Sequence, residues 1–259
     1  MRIIYLLLAV LLLPGNVYAH EAGDAGLQIA IDEQLGSNVP LDIHFYDEKG
    51  GSVILKDLIN KPTVIAPVYL SCTNTCPLLL LGLADVIERS KLKPGKDYQV
   101  LAVSFDEKDT PQIASEKKPE YLKAANMPIP DDAWRFLTGS EESIQRFTHA
   151  VGFKFRKERT GFSHPVTLIF LSPEGKIVRY LSGLTFLPFE FEMAVTEASK
   201  GEAVPLARKA LLYCMSYDPQ GKRYVFNTLK VVAILMVATI VSFFLYLVIT
   251  GRKYRKEIQ

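Results

Sequence analysis

The chain has 259 residues, 49% hydrophobic and 22% charged, with three cysteines and a formal net charge of +2. That charged fraction excludes wholesale disorder, and the near-balance of charge excludes a nucleic-acid binder held by phosphate contacts. Three cysteines are too few for a disulfide-stapled miniature scaffold.

Residues 1–19 open with Arg2, continue as an apolar run from Ile3 to Leu13, and close with Val17 and Ala19 at the −3 and −1 positions of a cleavage site. This is the pattern of a secretory signal peptide cut before His20. Residues 20–39 are small and polar and read as a flexible lead-in. Leu41, Ile43 and Phe45 then alternate with polar neighbours, the period-2 signature of a half-buried strand, and Ser52–Leu55 returns after a Gly-Gly turn to complete a hairpin. Thr63–Leu70 is a continuous apolar run that suits a buried central strand.

Leu78–Arg89 has helical spacing, and Tyr98–Phe105 is another buried strand. Thr110–Ala125 reads as a helix that Pro119 is expected to kink or break. Ala133–Leu137 follows as a short strand, and Ser140 caps a helix with Glu141 and Glu142 in its first turn. Val166–Leu171 and Ile177–Ser182 form a second hairpin, and Pro188–Lys200 is an amphipathic helix stopped by Gly201. Residues 202–230 read as a linker.

Val231–Thr250 carries no charge and is long enough to cross a bilayer once as a transmembrane helix, leaving residues 251–259 as a short tail. Basic residues flank this span on both sides, so the signal peptide decides its orientation. The expectation is a single-pass protein of a bacterial cytoplasmic membrane, with residues 20–230 on the periplasmic side and the tail in the cytoplasm. The exported portion holds 25 basic and 27 acidic residues, so the +2 of the whole chain belongs to its two ends. The order of elements predicts an α/β fold over residues 40–201: a thioredoxin-like mixed sheet with an N-terminal β-hairpin, followed by one C-terminal transmembrane helix.

Between the first buried strand and the first long helix stands Ser71-Cys72-Thr73-Asn74-Thr75-Cys76-Pro77. Proline favours the first helical turn, which puts both thiols at or just before a helix N-terminus, where the dipole and free N–H groups favour thiolate. On a regular helix the Cβ atoms of such an i, i+4 pair lie about 5–6 Å apart, whereas a disulfide needs about 3.5–4.5 Å. A metal bonded to both sulfurs at about 2.3 Å spans the gap without distortion. The spacing therefore permits both a disulfide and a metal site. Of the four histidines, His20 lies at the expected new N-terminus, His44 on the polar face of the first hairpin and His149 in a helix. His164 differs, because Gly161-Phe162-Ser163-His164-Pro165 is a loop running into a buried strand that a thioredoxin-like sheet would turn toward the cysteines. Two thiolates and an imidazole suit Cu(I), Cu(II) or Zn(II).

The Cys72-x-x-x-Cys76-Pro77 motif, the run Ser104-Phe105-Asp106-Glu107-Lys108-Asp109-Thr110-Pro111, and His164 ahead of Val166–Leu171 together resemble the Sco/SenC family of copper proteins. Trp134–Gly139 and Arg179–Gly183 also look like family segments, so the resemblance covers about residues 40–200. It implies that Cys72, Cys76 and His164 bind one copper, Cu(I) or Cu(II), per domain, and that Asp106 lies beside the site and orients or tunes it. It also implies a role in assembling the binuclear copper centre of cytochrome c oxidase. The partners would be the copper-bearing subunit of that oxidase, a thiol reductant or other copper chaperones, and the membrane through residues 231–250, with no nucleic acid. Thr73 stands where many members have proline, and Pro165 follows the histidine as a departure from the family pattern.

Two functions follow from these residues: a membrane-anchored copper metallochaperone, and a thiol–disulfide oxidoreductase whose redox-active thiols, Cys72 and Cys76, act on exported client cysteines. A peroxidase of the Pro-x-x-x-Thr/Ser-x-x-Cys type is excluded, because Asn74 falls where that pattern needs cysteine. Cys214, the odd cysteine, lies beside Met215 between the domain and the expected span, where it reads as a packed free thiol, as part of a copper relay with Met215, or as a thiol that pairs with another chain.

Overall fold

A computed structural model describes residues 31–203, 215–218 and 223–226, with six residues of the expected span (Met236, Thr239, Ile240, Ser242, Phe243 and Phe244) that are helical and exposed. The signal peptide (1–19), the first part of the lead-in, Cys214, most of 231–250 and the tail 251–259 lie outside the described residues. Among the described residues no helix is long and apolar enough to cross a membrane.

Five strands make the central sheet: β3 (Thr63–Val68), β4 (Gln99–Ser104), β5 (Trp134–Leu137), β8 (Thr167–Leu171) and β9 (Ile177–Ser182). Their spatial order is β5-β4-β3-β8-β9. β3, β4 and β5 run parallel, while β8 is antiparallel to β3 and to β9. β3, β4 and β8 are buried along their whole length, which explains why they read as unbroken apolar runs rather than alternating ones.

Both faces of the sheet are covered. On one face Val64, Ala66, Val68, Val100, Ala102 and Phe170 pack against α2 (Thr75–Arg89), α3 (Pro111–Ala124) and α5 (Pro188–Lys200). On the other, Ile65, Leu101, Val103, Ile169 and Leu171 meet the hairpin β1 (His44–Tyr46) and β2 (Ser52–Ile54), α1 (Leu55–Leu58) and α4 (Glu141–Ala150). Thr110 and Ser140 cap α3 and α4 by accepting from the N–H of Ile113 and Ser143. α5 ends at Gly201, whose φ of 62° is the left-handed stop expected of that glycine.

The architecture departs from the expectations in five places. α3 runs unbroken through Pro119. Tertiary contacts on either side of the proline outweigh its missing N–H: the buried Lys118 ammonium pairs with Glu48 and Asp131, and Tyr121 stacks on Phe136. α2 begins at Thr75, three residues ahead of Leu78, where its helical spacing starts, and one residue ahead of Cys76, near which Pro77 places its start. Residues 31–39 are pinned to the domain: Ile31 bridges Phe153, Asn38 bridges Lys176, and the Val39 N–H donates to the Gly175 carbonyl. A short hairpin, β6 (Arg156–Lys157) and β7 (Phe162–Ser163), occupies what reads as loop. Within 202–230 lies a further hairpin, β10 (Met215–Asp218) and β11 (Arg223–Phe226).

Candidate metal centre

β3 ends at Val68, and the chain turns through Tyr69–Asn74 into α2 with the Cys72 N–H donating to the Tyr69 carbonyl at 3.2 Å. The turn is anchored from the side by Asp109. Its carboxylate accepts from the Leu70 N–H and the Ser104 hydroxyl, both at 2.6 Å, and from the Ser71 N–H. Burial raises the Asp109 carboxyl above the usual carboxylate range, against those hydrogen bonds. Asp106, the residue expected to orient the site, instead accepts from the Lys108 N–H at 3.1 Å and closes its own turn. The carboxylate that grips the cysteine loop is thus Asp109. Nothing in the motif distinguishes the two, since the difference arises only when the β4–α3 turn folds back over residues 70 and 71.

Both thiols are free and buried, and they are chemically unlike. Burial alone would push the Cys72 thiol up. Hydrogen bonds from the Tyr69 hydroxyl, the N–H groups of Cys76 and Asn74, and the Cys76 thiol outweigh it and hold Cys72 below its ordinary value. The two N–H groups lie 3.5 and 3.4 Å from the Cys72 sulfur. Cys76 is pushed up, chiefly by burial and further by Cys72 and Asp109, although the Tyr69 N–H donates to its sulfur at 3.4 Å. The expectation that the helix N-terminus activates both thiols therefore holds for Cys72 and fails for Cys76, where desolvation dominates.

His164 closes the group. It follows β7, and its Nε2 lies 3.7 Å from Cys76 Sγ. The other ring nitrogen, Nδ1, is 2.8 Å from the Pro165 carbonyl, which can only accept, so Nδ1 carries the proton and Nε2 presents a lone pair toward the sulfur. Burial lowers the His164 pKa and keeps the imidazole neutral, the form that binds metals. The peptide bonds on either side of His164 are trans.

This donor set fits a soft metal ion. Bonds of about 2.3 Å to thiolate and about 2.0 Å to imidazole, opened to a trigonal angle, separate sulfur and nitrogen by about 3.7 Å, the distance between Cys76 and His164. Cys72 is turned toward backbone N–H groups, and among the described residues no three His, Cys, Asp or Glu side chains already form a closed metal cluster. Three-fold ligation requires a local turn of Cys72. The described His44 and His149 are exposed, on β1 and α4.

Sequence reasoning missed Tyr69. Its ring stands edge-on to His164 with centroids 5.7 Å apart and packs against Phe105 and Phe162. Phe105 and Phe153 face the imidazole from other sides, making the histidine pocket aromatic and uncharged.

The fold and the site together define a thioredoxin-like domain whose thiol pair at the head of the first long helix is joined by an imidazole from the opposite hairpin. The SCO1/SenC family model matches residues 32–195, and the chain belongs to that family. It is 25% identical over 152 residues to the SCO1 protein homolog of Bacillus subtilis (strain 168), covering 56% of this chain and 75% of that one. A crystal structure from Aquifex aeolicus VF5 superposes with a TM-score of 0.59 at 33% identity, over 65% of this chain and 95% of its own. The copper-bound ScoI of Arabidopsis thaliana shares the fold at 23% identity, with a TM-score of 0.52 over 64% of this chain and 99% of its own.

Proposed function

We propose that this protein is a copper metallochaperone that binds one copper ion through Cys72, Cys76 and His164 and delivers it to the copper-bearing subunit of a cytochrome c oxidase. The observation that carries the reading is the 3.7 Å approach of a neutral His164 Nε2 to Cys76 Sγ, with Cys72 one helical turn away. Family membership supports the same donor set. Of the two thiols Cys72 is the easier to ionise and His164 is offered as a neutral imidazole, while burial makes Cys76 the ligand whose proton is hardest to displace. A ligand that costs free energy to ionise holds copper less tightly than a free thiolate would, which suits a protein that must release its cargo. Copper would pass to the acceptor by stepwise ligand exchange, each bond to this chain being replaced by one to the recipient.

In this reading residues 1–19 direct export, residues 231–250 anchor the chain in the cytoplasmic membrane, and the domain works on the periplasmic side, where a thiol reductant or another chaperone keeps the cysteines reduced. Titration of the purified, reduced full chain with copper tests it. We expect one copper per chain, with thiolate-to-copper charge-transfer bands that respond to His164→Ala. Cys72→Ala, Cys76→Ala and His164→Ala should each abolish tight binding, and unchanged stoichiometry and affinity in all three would end the reading.

A second reading is a thiol–disulfide oxidoreductase, favoured by the split between a low Cys72 and a high Cys76. Such a split suits one attacking and one resolving thiol. Client reduction that survives His164→Ala but is lost with either cysteine variant would select it.

A further inference from the structure

Cys72 and Cys76 are only 5% and 3% exposed, while their neighbours Ser71, Thr73 and Asn74 are exposed and uncharged. The turn of α2 that follows breaks the usual pattern of a helix on a sheet. Leu78 and Leu81, neighbours at i, i+3, face outward and are 48% and 40% exposed. These leucines are not isolated. Gly82, four residues on from Leu78 and so on the same face, abuts the 183–187 loop so closely that a Cβ there would stand 1.9 Å from the Leu184 carbonyl oxygen. In that loop the Gly183 N–H donates at 3.0 Å to the carbonyl of Val166, two residues past His164. Pro77, Leu78, Leu81, Leu184 and Val166 thus make an apolar collar that runs from one ligand-bearing loop to the other. The collar is also uncharged. No Lys, Arg, Asp or Glu occurs in residues 62–84, 160–173 or 180–189, the three stretches that build it. The first charges beyond Leu81, Asp85 and Arg89, pair with each other. On the hairpin side of His164, Lys157 pairs with Glu107 and Arg156 with Glu158.

We propose that this collar is the docking face for the copper acceptor, a protein whose own copper ligands are framed by uncharged, apolar side chains. The inference rests on the copper reading of the site and deepens it. An ion held by buried thiols moves only to a ligand brought within bonding distance, about 2.3 Å for a thiolate. The recipient therefore has to cover the residues around Cys72, Cys76 and His164. Leucines exposed there leave water on docking, and no charge is stripped of its hydration. A lipid surface does not meet the requirement, because it brings no thiolate or imidazole. A second copy of this chain does not either, because its donor set is identical and the ion gains nothing by crossing. On transfer each Cu–S or Cu–N bond to this chain breaks as one to the acceptor forms. Copper keeps its oxidation state, and protons shed by the acceptor's ligands go to solvent and to the thiolates left behind.

The double variant Leu78→Gln/Leu81→Gln, made in the full chain and solubilised in detergent, tests the face without adding charge beside the metal. Glutamine keeps the helix propensity of leucine, and both positions are exposed, so the fold and the donor set should persist. Burying the exposed part of two leucines is worth about tenfold or more in affinity. With the acceptor below saturation, Cu(I) transfer from the variant to the purified copper-binding domain of an oxidase copper-bearing subunit should slow about tenfold. Its Cu(I) affinity, and its rate of transfer to a small chelator that needs no docking face, should match wild type. Wild-type transfer to the oxidase domain should change less than about twofold between about 0.05 M and about 0.5 M salt, since no charge steers the encounter. Equal transfer rates to the domain from wild type and variant would overturn the inference while leaving the copper reading intact. So would a variant that loses copper affinity, which would place the leucines in the copper site itself. The salt series needs no substitution, so wild-type transfer that falls steeply with salt overturns the inference even if the variant does not fold. Self-association of wild type that the variant abolishes would assign the collar to a second copy instead. A wild-type chain that binds no copper would end both readings.

Discussion

Asp106 and Asp109 stand three residues apart on one turn, both buried, yet they hold different things. Asp109→Ala leaves the Leu70 N–H and the Ser104 hydroxyl without their acceptor in a closed interior. At about 1–3 kcal/mol for each orphaned buried donor, part of it recovered by relaxation, the expected cost is about 3 kcal/mol. Asp106→Ala removes one turn bond, to the Lys108 N–H, and should cost about 1 kcal/mol. Urea denaturation of the two variants checks the difference, and equal losses would contradict the assignment of Asp109 as the anchor. At this scale the three donors were legible: Cys72 and Cys76 from their place ahead of a helix, His164 from its place ahead of a buried strand and from the family resemblance. Tyr69 and Asp109 were not. Their importance comes from contacts across 39 residues of sequence for Asp109 and 95 (from 69 to 164) for Tyr69, which no local pattern records.

Helix α2 carries the cysteines, and its seating depends on Gly82. Alanine there would gain about 1 kcal/mol of helix propensity. Its Cβ would also stand 1.9 Å from the Leu184 carbonyl oxygen, a backbone atom that cannot swing aside. Forcing α2 and the 183–187 loop apart costs more than propensity returns, since overpacking of this kind is worth about 1–3 kcal/mol even where side chains can yield. Gly82→Ala should therefore lower the melting temperature by several degrees, at roughly 2–4 °C per kcal/mol for a domain of this size. A rise on thermal denaturation would show the helix free to shift. The buried strands were readable because continuous apolar runs of five to six residues have few other uses, and the caps Thr110 and Ser140 fell where side-chain chemistry puts them. The β6–β7 hairpin was not readable. Its strands are two residues each, too short for any periodicity, and Arg156 and Lys157 are exposed. It is held by Phe155 and Phe162 packing on one another and on Phe105.

Across the whole domain, close packing on both faces of the sheet has a consequence at alkaline pH. Burial pushes Tyr121 and Tyr180 up to about 12, and pushes the Tyr98 hydroxyl and the Cys76 thiol up as well. Each is an acid whose charged form the folded state disfavours. Below the ordinary values of 9 for the thiol and 10 for the phenols, both states hold the proton and stability is at its full value. Above them the unfolded chain releases protons that the folded chain retains, so stability falls as pH rises, by up to about 1.4 kcal/mol per pH unit for each fully buried group. The urea midpoint of the copper-free protein should thus rise slightly on the approach to pH 9, as folded Cys72 gives up its proton ahead of the unfolded chain, decline beyond it through Cys76, and steepen above pH 10 as the tyrosines join. Tyr98 isolates one contribution. Its hydroxyl is buried beside Phe191 with no hydrogen-bond partner among the described residues, so the hydroxyl costs desolvation and returns nothing. Tyr98→Phe should leave stability at pH 7 unchanged or raise it by about 1 kcal/mol, and its decline above pH 10 should be shallower than that of wild type by one proton. A midpoint that stays level to pH 11, or a Tyr98→Phe profile that runs parallel to wild type, would mean that these side chains reach solvent as the pH rises and that the core is looser than its packing implies.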